Sequence, residues 1–254
     1  MATSKPNRIG QETADRIVDV RERWHTKKHP FFVEFSEGKF GLEPVGRLMA
    51  QHYQHVYRVM PTLGLAYYRA SEEGRGFILE NLAEEAGLIS GPGEDREAHD
   101  HMELIFRFCR AAGLTNHDVT GTEQLPAWRA RSYYYINTVR EEPFGVIVAM
   151  QSTQEGQQPA INGERMLPGL DEAHHDYKMD HPDIEFFAEH YIADADHSSR
   201  QLDLVAKLIN TEELEQRAVE VAGIAVKTRW ACMNDIYRSA VLNQADPLPP
   251  GMAA

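Results

Sequence analysis

The sequence predicts an all-α protein, a single helical bundle of about seven or more helices spanning residues 1–254. Three observations predict it. Apolar residues recur three and four positions apart over most of the chain, the period of a helix with one buried face. Strand-like alternation of apolar and polar residues is scarce. Prolines stand where a first helical turn would begin, at Pro126 and Pro143, and glycines where a last turn would close, at Gly87 and Gly113.

Taken in order, residues 12–24 read as a first helix, and the proline of His29-Pro30-Phe31-Phe32 breaks the pattern. Residues 45–70 form a second helical stretch, bent near Pro61, and residues 76–86 a third that runs into Gly87 and a loop over 88–93. Residues 98–112 are a fourth, followed by helices over 126–141, 143–155 and 167–178. A long helical stretch over 183–210 and another over 212–242 complete the bundle. The polar residues 1–10 and the proline-rich residues 246–254 read as loose tails. No internal repeat, low-complexity block or interdomain linker interrupts the chain.

The bulk properties narrow the function. With 42% hydrophobic and 26% charged residues the composition is that of a globular protein with a sizeable core. A formal net charge of -13 disfavours nucleic acid and anionic membrane surfaces, which reward clustered Lys and Arg. No run approaches the roughly 20 apolar residues that span a bilayer, and the N-terminal residues do not look like a signal peptide. Cys109 and Cys232 lie in separate helix-like apolar stretches, so a disulfide is not expected and a cytoplasmic setting is.

The chemistry is concentrated in Phe186-Phe187-Ala188-Glu189-His190-Tyr191-Ile192-Ala193-Asp194-Ala195-Asp196-His197. His190, Asp194 and His197 are spaced i, i+4 and i+7 and so share one helical stripe, which Phe186, Phe187 and Leu204 extend. A stripe that faces the core thus carries two imidazoles and a carboxylate. Burying such groups without partners costs several kcal/mol. A divalent metal would satisfy them, and iron, manganese or zinc all accept these ligands; a solvated face would satisfy them too. Upstream, His101 shares a face with Leu104, Ile105, Phe108 and Ala112 and points inward, whereas His99 lies about 200° away and faces water. Glu155 ends a very apolar helix, and is either buried and paired or the first exposed residue after the core.

Together these pieces resemble the haem-oxygenase-like di-iron oxidases and oxygenases, related in fold to pyrroloquinoline-quinone synthase and thiaminase-II. The resemblance runs from His29-Pro30-Phe31 to about Leu208. It includes Asn81-Leu82-Ala83-Glu84-Glu85-Ala86-Gly87, His101-Met102-Glu103-Leu104, Glu155, and His190, Asp194 and His197, the last triplet being the most specific.

The resemblance implies a site for two Fe(II)/Fe(III) ions held by Glu85, His101, Glu155, His190, Asp194 and His197. Glu85 and His101 are 16 residues apart, wider than the family pattern, so Glu84 or Glu97 is an alternative to Glu85. It also implies O2 as co-substrate, an external electron donor, a peroxo-bridged di-ferric intermediate, and a possible homodimer. Oxidation of a small, nitrogen-containing molecule is the expected reaction, either N-oxygenation of an amine or fragmentation of an amino acid. The alternatives are fatty-acid decarboxylation or desaturation in the same superfamily, or a cofactorless quinone-synthase-like or thiaminase-like enzyme. Gln51, His55, Arg58 and Tyr133-Tyr134-Tyr135 are candidate pocket residues.

Overall fold

The computed structural model describes residues 7–90 and 98–244, and among them there are helices and connecting loops but no strand. The first helix, α1 (Arg8–Arg23), starts four residues before the apolar periodicity does, because the Asn7 side chain caps it by accepting from the Gly10 amide. Residues 8–10, expected to be loose, are therefore helical. They are also anchored, since Asn7 Nδ2 donates to the carbonyls of Ala206 and Ile209 at 2.9 and 2.7 Å. A Cβ at position 10 would lie 2.0 Å from the Ala206 carbonyl oxygen, so only glycine allows this approach.

Pro30 opens a helix rather than ending one. It stands at the first position of α2 (Pro30–Ser36), where no amide is needed, and His29 caps that helix and buries Phe31, Phe32 and Phe35 behind it. The expected bend near Pro61 is a break between α3 (Leu42–Val59) and α4 (Pro61–Arg69). α5 (Glu72–Glu85) and α6 (His101–Ala111) follow, then the short α7 (Asn116–Gly121), which the sequence reading passes over. α8 (Pro126–Glu141) and α9 (Phe144–Glu155) begin within a residue of their prolines, as expected. A short helix α10 (Gln158–Ile161) and a π-turn over Asn162–Met166 lead into α11 (Leu167–Ala173), which stops five residues before the expected end. The long helices α12 (Glu185–Leu208) and α13 (Glu212–Ile236) close the bundle.

α9 is the central helix. Every residue from Phe144 to Gln154 is buried, against α12, α13 and α1. Apolar side chains gather into two clusters. One surrounds Phe31, Phe35, Phe108, Trp128, Phe186 and Phe187; the other surrounds Ile17, Ile78, Ile147, Val205 and Val221. α12 contributes Phe186 and Phe187 to the first and Leu204 and Val205 to the second. Between those two contributions its inward stripe is polar, and it carries His190, Asp194 and His197. Cys109 and Cys232 are buried and free. No described helix is long and apolar enough to cross a membrane.

Candidate metal centre

Gly87 explains how a glutamate and a histidine 16 residues apart meet. Its φ of +66° turns the chain at the end of α5, with the Gly87 and Leu88 amides donating to the carbonyls of Glu84 and Ala83 at 2.9 and 2.8 Å. A Cβ there would lie 2.4 Å from the Asp100 amide, so glycine also lets the start of α6 approach closely. Asp100 caps α6 by accepting from the Met102 amide, and His101 is the first residue of the helix. Its Nδ1 comes to 3.0 Å from Glu85 Oε2.

All six residues singled out in the sequence come together, in two groups of three. Glu85, His101 and His190 form one, and Glu155, Asp194 and His197 the other, with the donor atoms of each group within 4.8 Å of one another. In the first, the His101 and His190 rings are 4.8 Å apart. His190 Nδ1–H donates to the Phe186 carbonyl at 2.7 Å, which leaves Nε2 with a free lone pair, the usual arrangement of a metal-ligating imidazole. In the second, His197 Nδ1 lies 3.8 Å from both Glu155 Oε2 and Asp194 Oδ1, and Gln201 donates to Glu155 at 2.8 Å.

Glu84 and Glu85 are not alternatives: both reach the centre. Glu85 meets His101, whereas Glu84 Oε2 lies 2.8 Å from His197 Nε2, an ion-pair distance without hydrogen-bond geometry. Glu97 lies outside the described residues. His99 does not face water as expected. It precedes α6, is half-buried, and sits 3.0 Å from Glu185, which Arg107 also holds. With Glu189 these residues make a third acidic and imidazole group beside the first.

The donor set fits a pair of divalent cations. Four carboxylates, Glu84, Glu85, Glu155 and Asp194, crowd around three imidazoles, and Asp194 Oδ2 is buried without a hydrogen-bond partner. The protonation of the metal-free centre reflects that crowding. Burial and then the neighbouring Asp194 push the Glu155 carboxyl up to about 8. Desolvation opposes a charged His101, but the Glu85 carboxylate outweighs it and holds the imidazole at about 9, while Glu85 itself is drawn down to about 2. Desolvation likewise opposes a charged His197, and the neighbouring carboxylates of Asp194 and Glu84 lift it to about 11. At neutral pH His101, His197 and Glu155 therefore carry protons that a metal must displace. Loading with iron(II) at pH 7 should release up to about three protons per chain, and affinity should rise with pH through the range 6 to 9. Titration calorimetry in buffers of different ionisation enthalpy counts those protons, and a pH-independent affinity would contradict this protonation pattern.

A cavity of about 140 Å³ opens against both groups, lined by Glu85, His101, His190, Glu155 and Asp194. Of the expected pocket residues, His55 and Tyr135 line it. Gln51 instead binds the backbone of Glu123 and Leu125, Arg58 binds Gln54, Tyr133 is exposed, and Tyr134 donates to the Val221 carbonyl. His52, Arg131, Gln154 and Arg229 line it too and were not foreseen. One wall is the junction of α3 and α4, where Val59, Met60 and Leu63 face the space.

Residues 47–230 match the family of iron-containing redox enzymes, over more than half of the chain. The chain belongs to that family. The enzyme is thus an oxidoreductase, and histidine and carboxylate side chains are suitable ligands for iron. It is 24% identical to 4-aminobenzoate synthase of Nitrosomonas europaea over 238 residues, covering 92% of this chain and 93% of that one. It is 23% identical to 4-aminobenzoate synthase of Chlamydia muridarum, covering 79% and 80%. Among solved structures, a TenA homologue from Pseudomonas syringae superposes with a TM-score of 0.72 at 12% identity, covering 94% of this chain and 96% of that one. A Shewanella denitrificans domain of unknown function with a haem oxygenase-like fold does so with 0.70 at 16% identity, covering 90% and 92%. The fold of the enzyme is haem-oxygenase-like, as the sequence resemblance implies.

Proposed function

We propose that the enzyme is a di-iron oxygenase or oxidase that uses O2 and electrons from an external donor to oxidise a small nitrogen-containing molecule. One iron belongs to Glu85, His101 and His190, and the other to Glu155, Asp194 and His197. The observation that carries this reading is the pair of three-residue groups facing one cavity. When bound, the two ferrous ions supply the binding and reduction of O2. The chain does the rest. Glu84, Glu85, Glu155 and Asp194 offset the charge of the cations, and Phe186 and Gln201 orient His190 and Glu155. His52 and His55, whose basicity burial and the nearby Arg131 depress, stay neutral at pH 7 and act as hydrogen-bonding walls. Apolar side chains such as Ile105 and Phe186 keep bulk water from the reacting centre. The name of the relatives, 4-aminobenzoate synthase, supports a nitrogen-containing substrate over a fatty acid.

Anaerobic titration with iron(II), followed by rapid mixing with O2, tests this. About two irons bound per chain and a transient visible absorption are expected. Absence of both would return the buried histidines to a structural role.

A further inference from the structure

We infer that Arg131 and Arg229 form an anion-binding subsite in the cavity that the ligand groups face, built to hold the carboxylate of the substrate. This deepens the proposed function by naming the substrate class, a small carboxylic acid that also carries the nitrogen or group to be oxidised.

Arg131 on α8 and Arg229 on α13 are 6% and 8% exposed, and both line the cavity that the candidate iron ligands face. Buried arginines are ordinarily paired with acids. Among the described residues no carboxylate lies within ion-pair distance of either. Their partners are neutral. Gln154 Oε1 accepts from Arg131, and the same oxygen lies 3.4 Å from Arg229 Nη1. Arg229 also donates to the Gln154 carbonyl at 3.0 Å and to Gln158 Oε1 at 2.5 Å. Two guanidinium groups thus converge on one amide oxygen, which offsets neither charge. Arg131 lies over the Trp128 ring, 5.7 Å from its centroid, which orients it without neutralising it, and its Nε is buried with no hydrogen-bond partner.

Burial and then Arg131 draw the Arg229 pKa down to about 9, so it is still charged at neutral pH. Asp194 acts on Arg229 at longer range but belongs to the second ligand group. An incoming carboxylate supplies the missing charge, and guanidinium donors match its geometry in a bidentate manner. The space fits such a ligand. Besides the cavity of about 140 Å³, a second of about 60 Å³ is lined by Phe32, Met49, Trp128 and Met233, and both cavities share Arg131 and Arg229. A carboxylate fixed between them shares one cavity with Tyr135 and the ligand groups.

The test is calorimetric binding of carboxylates paired with their neutral amides, 4-aminobenzoate against 4-aminobenzamide, L-tyrosine against L-tyrosinamide, and hexanoate against hexanamide. Each pair is measured on the metal-free and the anaerobic iron(II)-loaded enzyme. At least one carboxylate should bind more than about tenfold tighter than its amide in both states. That preference should disappear in Arg131→Gln and Arg229→Gln and return in Arg229→Lys, with the iron content unchanged in all three variants. Equal binding within every pair, or a preference that survives both Gln variants, overturns the subsite. A preference found only with iron present places the carboxylate on the metal instead and overturns it as well. Iron stoichiometry in the same samples separates the two readings. Two irons bound without a carboxylate preference sinks the subsite alone, and a carboxylate preference in an enzyme that takes up no iron when loaded sinks the di-iron centre alone.

Discussion

Asp194→Ala is expected to hold about one iron per chain instead of about two, and to lose O2-dependent turnover by more than the about 100-fold that removal of an outer-shell partner costs. The argument is geometric. Asp194 is buried on the middle of α12 and supplies one of the three donors of its group, and one of its oxygens has no partner within the protein. Glu155 and His197 are already donors of the same group, so its loss leaves that group with two. His190→Ala should empty the other group, so the two variants dissect the centre. The fold should survive both. Asp194 crowds Glu155, and its removal relieves a repulsion in the metal-free protein, so the helical circular dichroism should be retained while the iron-dependent rise in Tm shrinks. Iron analysis by mass spectrometry together with oxygen uptake checks this. Wild-type turnover in either variant would remove the di-iron reading.

Trp128→Ala carries the largest expected effect on stability. Trp128 is 1% exposed, the largest fully buried side chain of the molecule's described part, and its Nε1–H donates to the Cys232 carbonyl at 3.1 Å. Truncating a buried Trp to Ala leaves a cavity that a close-packed interior fills only in part, and it costs about 3–5 kcal/mol. For a chain of this size that corresponds to a fall in Tm of roughly 6–20 °C. The loss should also loosen Arg131, which lies over the ring, and so weaken ligand binding beyond the stability effect. Thermal denaturation of metal-free Trp128→Ala and Trp128→Phe decides it. A fall of less than about 2 °C for the alanine variant would mean that the site collapses to fill the space.

Much of this centre is legible in the linear chain, and the reason is helical regularity. His190, Asp194 and His197 lie on one long helix, where spacing alone determines which side chains share a face. His101 is legible for the same reason, since Leu104, Ile105 and Phe108 mark the buried side of α6. Legibility ends where helices end. Glu84 and Glu85 both reach the centre because α5 stops there and Gly87 lets the start of α6 approach its end, an arrangement that no periodicity describes. His99 escapes the periodicity argument because the helix begins two residues after it. Arg131 and Arg229 are 98 positions apart on different helices, and only the packing of α8 against α13 brings them to one glutamine. Pro30 is ambiguous in sequence because a proline that opens a short helix and one that ends a long one look alike without the flanking backbone.

The junction at Pro61 has a consequence for how substrate range can change. Val59, Met60 and Leu63 are only half-buried, belong to neither apolar cluster, and border the cavity at a point where the helical ladder is already interrupted. Exchanges at these three positions alter the shape of the chamber without touching a ligand or either arginine, and partly exposed sites tolerate exchange with small losses of stability. A combinatorial library confined to them is the economical route to new acceptors, because catalytic competence and admission are encoded in separate stretches of the chain.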